Sequence, residues 1–203
     1  MRDSLMDHFR FNNLLSDKQI GFLKGRSTNI QMIRVMDDWS KHLDHGMSVD
    51  VVYLDFMKAF DKVSHEHLIH KLQYLGIHHS ILNWIEDFLN DRSQMVKYNN
   101  CVSSSVEVVC GVPQGSVIGP TSFILFINDL PDVVPSKLYM FADVTKMYNG
   151  MDTVSDRQQL QSDIDNLVAW STTWHLLFNP LKCKVMTLGR ASGTSDCNYT
   201  MSL

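Results

Sequence analysis

Apolar and polar positions alternate at two periods along this chain, and the switches between them predict its elements. Ile30, Ile33, Met36 and Leu43 recur at roughly helical spacing and predict a helix from Ile30 to about Leu43. The run VDVVYL, Val49–Leu54, is short, apolar and β-branched, and it predicts a buried strand ending at Asp55. Leu68, Ile69, Leu72 and Leu75 mark a helix stopped by Gly76, and Ile81, Leu82, Ile85, Phe88 and Leu89 mark another. From Gln94 to Val109 the pattern is that of a hairpin. Val96 and Tyr98 alternate with polar neighbours, Asn99-Asn100 supplies the turn, and Val102, Val106 and Val108 lie beyond it.

After a loop punctuated by GVPQGS, an apolar helix is expected from about Val117 to Asn128. Lys137–Ala142 and Thr145–Tyr148 flank Asp143-Val144 as a second hairpin. A long helix from about Ser155 to Trp174 carries Leu160, Ile164, Leu167 and Val168 on one face, and Cys183–Leu188 reads as a final strand. Helices and strands thus alternate irregularly, with hairpins among them, which favours an α+β fold over a regular parallel α/β sheet. The tail from Ala191 onward is polar, carries no clear element and is expected to fray.

Composition narrows the class without choosing a function. With 44% apolar and 20% charged residues over 203 positions, the chain is an ordinary globular sequence that needs neither disulfides nor a structural metal to hold its core. Its formal charge of −4 does not exclude a nucleic-acid partner, because phosphate contacts need only a locally basic surface. Cys101, Cys110, Cys183 and Cys197 form no C-x-x-C pair and read as reduced, partly buried thiols. His65, His67 and His70 come closest to a cluster but lack acidic or thiol partners at a ligand spacing, so they read as surface residues. The N-terminus is polar where a secretion signal needs an apolar run, and no stretch approaches bilayer length. A soluble, intracellular protein is expected.

Two carboxylates invite chemistry. Asp55 and Asp143 each end an apolar strand, VVYLD and LYMFAD. A carboxylate beside buried strand is costly unless paired or bound to a cation. If the two strands lay side by side, both groups would meet at one sheet edge. Hard oxygen ligands there would suit Mg²⁺ and phosphoryl transfer. Taken singly, each reads first as a strand-end or turn residue, since aspartate is common in turns.

Longer motifs decide between these readings. YLDFMKAFDKV, Tyr53 to Val63, resembles motif A of the reverse transcriptases of LINE-like (non-LTR, jockey/CR1-type) retrotransposons. GVPQGSVIGP, Gly111 to Pro120, resembles their motif B, and LFINDLP, Leu125 to Pro131, continues it in their manner. FADVTKMY, Phe141 to Tyr148, is similar to motif C, and WHLLFNPLKC, Trp174 to Cys183, to motif D. QIGFLKGRST, Gln19 to Thr28, resembles the fingers segment that precedes motif A. The matches run in family order from about Leu15 to Arg190. Group II intron maturases and telomerases share the palm, but KAFDKV and SVIGPTSFILFINDLP are closer to the LINE-like pattern.

The resemblance implies a polymerase palm, a small antiparallel sheet backed by helices, with a partial fingers subdomain and no thumb. Residues 1–49 and 68–112 would belong to the fingers, 50–67 and 113–190 to the palm, and 191–203 to the frayed tail. It implies that Asp55 and Asp143 hold Mg²⁺, or Mn²⁺ in its place, with help from the backbone carbonyl of Phe56. Phe60 would be the aromatic gate that rejects a 2′-hydroxyl. Gln114 and Gly115 would meet the incoming nucleotide, Gly115 by letting the backbone approach closely. Lys182 would place a cation near the departing pyrophosphate, as a general acid, and Lys24 and Arg26 would contact triphosphate or template. The implied partners are an RNA template, a DNA primer and deoxynucleoside triphosphates, with no membrane. The sequence gives no oligomeric state.

One position departs from the family. Motif C ends in two aspartates, whereas this chain has Asp143-Val144. A valine side chain neither ligates a metal nor accepts a hydrogen bond, so weakened Mg²⁺ binding and impaired polymerisation are expected. A single base change separates the two codons, as in a decaying element copy. Two readings follow: an impaired RNA-directed DNA polymerase, or a catalytically dead, nucleic-acid-binding remnant of a retroelement.

Overall fold

The computed structural model describes residues 2–189 and 199–202; Cys197 and most of the tail expected to fray lie outside them. The helices are α1 (Arg2–Phe11), α2 (Thr28–Asp44), α3 (His65–Tyr74), α4 (His79–Leu89), α5 (Ile118–Phe126) and α6 (Val154–Thr173). The strands are β1 (Ser48–Asp55), β2 (Ser93–Gln94), β3 (Lys97–Tyr98), β4 (Cys101–Val102), β5 (Val106–Glu107), β6 (Lys137–Phe141), β7 (Val144–Met151) and β8 (Lys184–Leu188). The fold is α+β, as the irregular alternation predicts.

The chain divides into two compact units. One joins the stretch through Leu14 to Lys58–Phe126; the other joins Leu15–Met57 to everything from Ile127 onward. The cuts differ from the fingers and palm bounds expected after Val49, His67 and Val112. Packing explains the difference, since α2 lies against β1, and α5 lies against α3.

The second unit is built on a four-stranded sheet in the order β6-β7-β1-β8, antiparallel throughout. β1 has neighbours on both edges, and Val49, Val51, Val52 and Leu54 are all buried. A strand covered on both faces reads as a continuous apolar run, which is why VDVVYL does not alternate. Its one charged interior residue, Asp50, is fully buried and accepts hydrogen bonds from Thr187 Oγ1 and Tyr199 OH, both at 2.6 Å. On the face carrying Val49 and Val51, α2 inserts Val35 and Trp39 beside Tyr148. The Tyr148 hydroxyl donates to Asp38 at 2.8 Å, and burial with that bond holds its pKa well above the usual phenol range.

The helix predicted from Ile30 is present, but the residues that predicted it point the other way. Ile30, Ile33 (68% exposed), Met36 and Leu43 lie in solvent, and Val35 and Trp39 are the buried pair. The spacing was helical, yet Val35 and Trp39 took the core-facing positions. α6 spans the predicted range within a residue at each end and opens with a capping box between Thr153 and Asp156. Leu160, Ile164 and Leu167 are buried along it.

In the first unit, α3 packs on α4 and α5. α5, IGPTSFILF, is buried on nearly every side, and Lys71 Nζ donates to the carbonyl of Phe126 at its C-terminal end at 2.7 Å. The N-terminal stretch, for which no element was read from the sequence, forms α1 and buries Leu5, Met6 and Phe9. Between Gln94 and Val109 the expected hairpin exists as two short ladders, β2 with β5 and β3 with β4. Asn99 and Asn100 both adopt positive φ, 44° and 65°, as a type I′ turn requires.

Candidate functional site

The sheet brings the two acidic strand ends together. In the β1–β7 ladder, Asp55 lies directly opposite Val144, and Asp143 is the residue before it. Residues directly opposite each other across a ladder share a face. Val144, 41% exposed, therefore occupies the face and the rung on which Asp55 sits. The β6–β7 ladder closes at Phe141 opposite Val144, so the tight two-residue loop is Ala142-Asp143, one residue earlier than the expected Asp143-Val144, and Val144 belongs to the strand. Ala142 pays for that tightness with a left-handed φ of 54°.

The Asp55 end is held from the other side by the segment after α6. Met57 donates its amide to Leu177 O at 2.8 Å, and Asn179 donates to Asp55 O at 2.7 Å. Between these bonds Phe56, fully buried, stacks on Phe178 with ring centroids 4.5 Å apart. Lys182 Nζ reaches Asp55 Oδ1 at 3.0 Å. The pair is half open to solvent and worth no more than about 1 kcal/mol, but it sets a cation on the carboxylate. Beside it, burial pushes the Cys183 thiol pKa up. Two residues along the same face, Lys146 lies over the rings of Trp39 and Tyr53, and burial lowers its pKa.

Arg26 and Lys24 belong to this unit. Arg26 is engaged by its own loop, donating from Nη1 to Ser16 O at 2.6 Å and to Gln19 O, and from Nη2 to Asp17 at 3.1 Å. Lys24 is exposed.

Phe60, Gln114 and Gly115 belong to the first unit. There the end of motif A is stitched to motif B. Gly111 donates to Val63 O at 2.7 Å and Val112 to Phe60 O at 2.8 Å. A Cβ on Gly111, whose φ is +90°, would sit 2.7 Å from Asp61 O, so only glycine allows the approach. Gln114 Nε2 donates to Asp61 Oδ1 at 2.9 Å. His65 is half-buried rather than a surface residue, with Nε2 2.8 Å from Gly111 O; His67 is half-buried as well. Ser116 Oγ accepts from Gly119 N–H at 2.9 Å at the start of α5. The half-buried ring of Phe60 stacks on Phe123 at 4.6 Å. Gly115 has a φ of +81° and open space where a side chain would be. Beside these residues runs a cleft of about 510 Å³ lined by Lys58, Lys62, Arg92, Glu107 and Gln114. Arg92 Nη1 is buried without a hydrogen-bond partner.

Among the described residues no group of three His, Cys, Asp or Glu side chains is placed to hold an ion. The pair Asp55 and Asp143 still fits Mg²⁺, which takes one or two protein carboxylates and completes its shell with water and phosphate. Val144 stands where the motif C resemblance implies a third carboxylate. Cys101, Cys110 and Cys183 are free thiols, with Cys101 exposed. No helix among the described residues is long and apolar enough to cross a membrane.

Three residues that matter here were not singled out in the sequence. Asp61, Gln19 and Gly21 lie inside quoted motifs, but no charge pair or periodicity marks them. Gln19 and Gly21 lie against the Ala142-Asp143 loop, and Asp61 holds Gln114.

A small antiparallel sheet that offers two carboxylates from a strand end and the neighbouring hairpin loop defines a polymerase palm. The profile of the reverse transcriptase (RNA-dependent DNA polymerase) family matches residues 1–200, and the chain belongs to that family. It is 32% identical over 193 residues to a probable RNA-directed DNA polymerase from transposon BS of Drosophila melanogaster, covering 88% of this chain and 20% of that protein. It is 27% identical to the RNA-directed DNA polymerase from mobile element jockey of the same species, covering 94% of this chain and 23% of that protein. The domain is thus of the non-LTR retrotransposon type, and it spans about a fifth of the length of these relatives. Among solved structures, apo telomerase of Candida tropicalis truncated from its C-terminal domain matches with a TM-score of 0.65 at 13% identity, over 95% of this chain and 41% of that one. At that identity the likeness speaks for the fold. Reverse transcriptases work with a divalent cation.

Proposed function

We propose that this domain adds deoxynucleotides to a DNA primer on an RNA template, with Mg²⁺ at Asp55 and Asp143, and that Val144 slows it severely. The observation that carries the reading is the ladder rung that sets Asp55 opposite Val144, with Asp143 next in line. In the reaction a primer 3′-hydroxyl attacks the α-phosphate of a deoxynucleotide, its proton passes to solvent, and the bond from the α-phosphorus to the bridging oxygen breaks to release pyrophosphate. When bound, the metal supplies positive charge that favours the alkoxide and the developing phosphate charge.

The chain's own groups have separate tasks. Asp55 and Asp143 hold the ion, with the Phe56 carbonyl as an added oxygen. Lys182, which reaches Asp55 Oδ1 at 3.0 Å, would supply a cation to the leaving pyrophosphate. Lys24 and the free edge of Arg26 meet triphosphate or template. Phe60, fixed by Phe123, excludes a 2′-hydroxyl. Gln114 and Gly115 meet the nucleotide, and Lys58, Lys62 and Arg92 offer their cleft to template phosphates. The fingers comprise residues 1–49 and 68–112, and the palm 50–67 and 113–190. The protein acts inside the cell, where its nucleotide substrates are.

Val144 itself favours a second reading, a retroelement remnant that binds nucleic acid without turnover. Primer extension on poly(rA)/oligo(dT) with Mg²⁺ or Mn²⁺ separates them. Val144→Asp is expected to raise extension by roughly 100-fold. Extension by neither protein, with template binding retained in both, would favour the remnant. Equal extension by both would dismiss the emphasis on the second carboxylate.

A further inference from the structure

The loop that carries Asp143 is strained, and something must hold it. A non-glycine residue at positive φ persists only where its surroundings leave no alternative. Around Ala142 those surroundings come from the stretch Lys18–Gly21, which runs along the outer edge of β6. Ile20 donates to Met140 O and Met140 donates to Lys18 O, both at 2.9 Å. At the end of this short parallel pairing the Gln19 side chain, 2% exposed, turns toward the loop. Its Oε1 accepts from the Ala142 amide at 3.2 Å and from the Gly21 amide at 2.8 Å. Both partners are donors, so the oxygen and not the nitrogen must face them. Gly21 completes the contact, since a Cβ there would lie 2.5 Å from Ala142 N. Arg26 braces the stretch through the carbonyls of Ser16 and Gln19.

We propose that Gln19 is a positioning residue for the metal-binding loop: its side-chain carbonyl clamps the Ala142 amide and so fixes the direction of Asp143. The inference rests on the reading of Asp143 as a metal ligand. The other end of the side chain supports it. Gln19 Nε2 is buried with no hydrogen-bond partner. Burying an unsatisfied donor is costly, so the residue is explained by its oxygen. A glutamate would keep both acceptor bonds and lose none.

The test compares Gln19→Met and Gln19→Glu with the unaltered chain. It reads hydrogen exchange at the Ala142 amide and Mn²⁺ binding by electron paramagnetic resonance, with Asp143→Asn as the reference for a lost ligand. Gln19→Met is expected to speed Ala142 exchange and weaken Mn²⁺ binding, each by roughly tenfold. Val51 and Met147, in the centre of the sheet, should keep their protection. Gln19→Glu should retain the slow Ala142 exchange. Unchanged Ala142 exchange in Gln19→Met overturns the proposal. So does an equal acceleration at Val51 and Met147, which would make the residue merely structural, and so does a freed loop with undiminished Mn²⁺ binding. If Gln19→Met does not fold, Gly21→Ala strikes the same loop and is read the same way. An unaltered chain that binds no Mn²⁺ overturns the metal reading instead, and the exchange measurement then decides the role of Gln19 alone.

Discussion

Asp55, at the end of β1, and Asp143, in the loop before the neighbouring β7, owe their positions to different physics. Asp55 ends a strand paired on both edges, and its backbone is bridged onward to Phe178 and Asn179. Asp143 stands in a two-residue loop of a hairpin whose outer strand, β6, ends the sheet order. Its neighbour Ala142 is strained, and the stretch that braces it comes from far earlier in the chain. The first carboxylate is placed by the core itself. The second is placed by a buttress, so it can be moved without unfolding the sheet. A site built this way loses the motif C side first.

The comparison breaks most visibly at Phe56. Its ring lies between Phe178 and Trp170, and Phe56→Ala should cost about 3–5 kcal/mol, the usual loss for a buried phenylalanine. For a chain of this size that is a fall in Tm of roughly 10 °C, read by a calorimetric or circular dichroism melt. A fall of only a degree or two would mean that the Asp55 end is not anchored by the core. Gly21→Ala strikes the other end, forcing a methyl against the Ala142 backbone. About 1–3 kcal/mol is expected, as for an overpacked contact. Exchange should speed first in the Phe141–Val144 segment, whereas acceleration beginning in β1 would erase the distinction.

The same contrast explains what could be read from the sequence. The elements around Asp55 are visible because burial writes itself into composition: VDVVYL is apolar since β1 is covered on both faces. The Asn99-Asn100 turn is visible because its backbone angles demand particular residues. The stripe Ile30, Ile33, Met36 and Leu43 misled because spacing reports a helix but not which face is buried; Val35 and Trp39 hold the buried face. The pairing of Asp55 with Asp143 was legible through motif order alone, since nothing local to either residue names its partner. The Gln19 brace was not legible. It depends on one side-chain oxygen meeting one amide across a long sequence separation, and no periodicity encodes that. Arg26 was singled out for its charge, and the structure adds a tie to its own loop that charge does not announce.

The smallest expected effect sharpens the comparison most, because its sign reverses with conditions. Val144→Asp would set a third carboxylate on the rung of Asp55 and beside Asp143. Like charges directly opposite across a ladder destabilise it, by roughly 0.2–1 kcal/mol. Lys182 neutralises only part of the cluster, being on Asp55 and largely exposed. Without divalent ions the variant should therefore melt slightly below the unaltered chain, by a few degrees at most. With Mg²⁺ the order should invert. An ion that binds only the folded state raises stability in proportion to its affinity for that state, and three carboxylates bind it better than two. Raising salt in the metal-free melts should shrink the difference, since the repulsion is at the surface. If the curves keep their order when Mg²⁺ is added, then the rung opposite Asp55 is not where the missing ligand belongs.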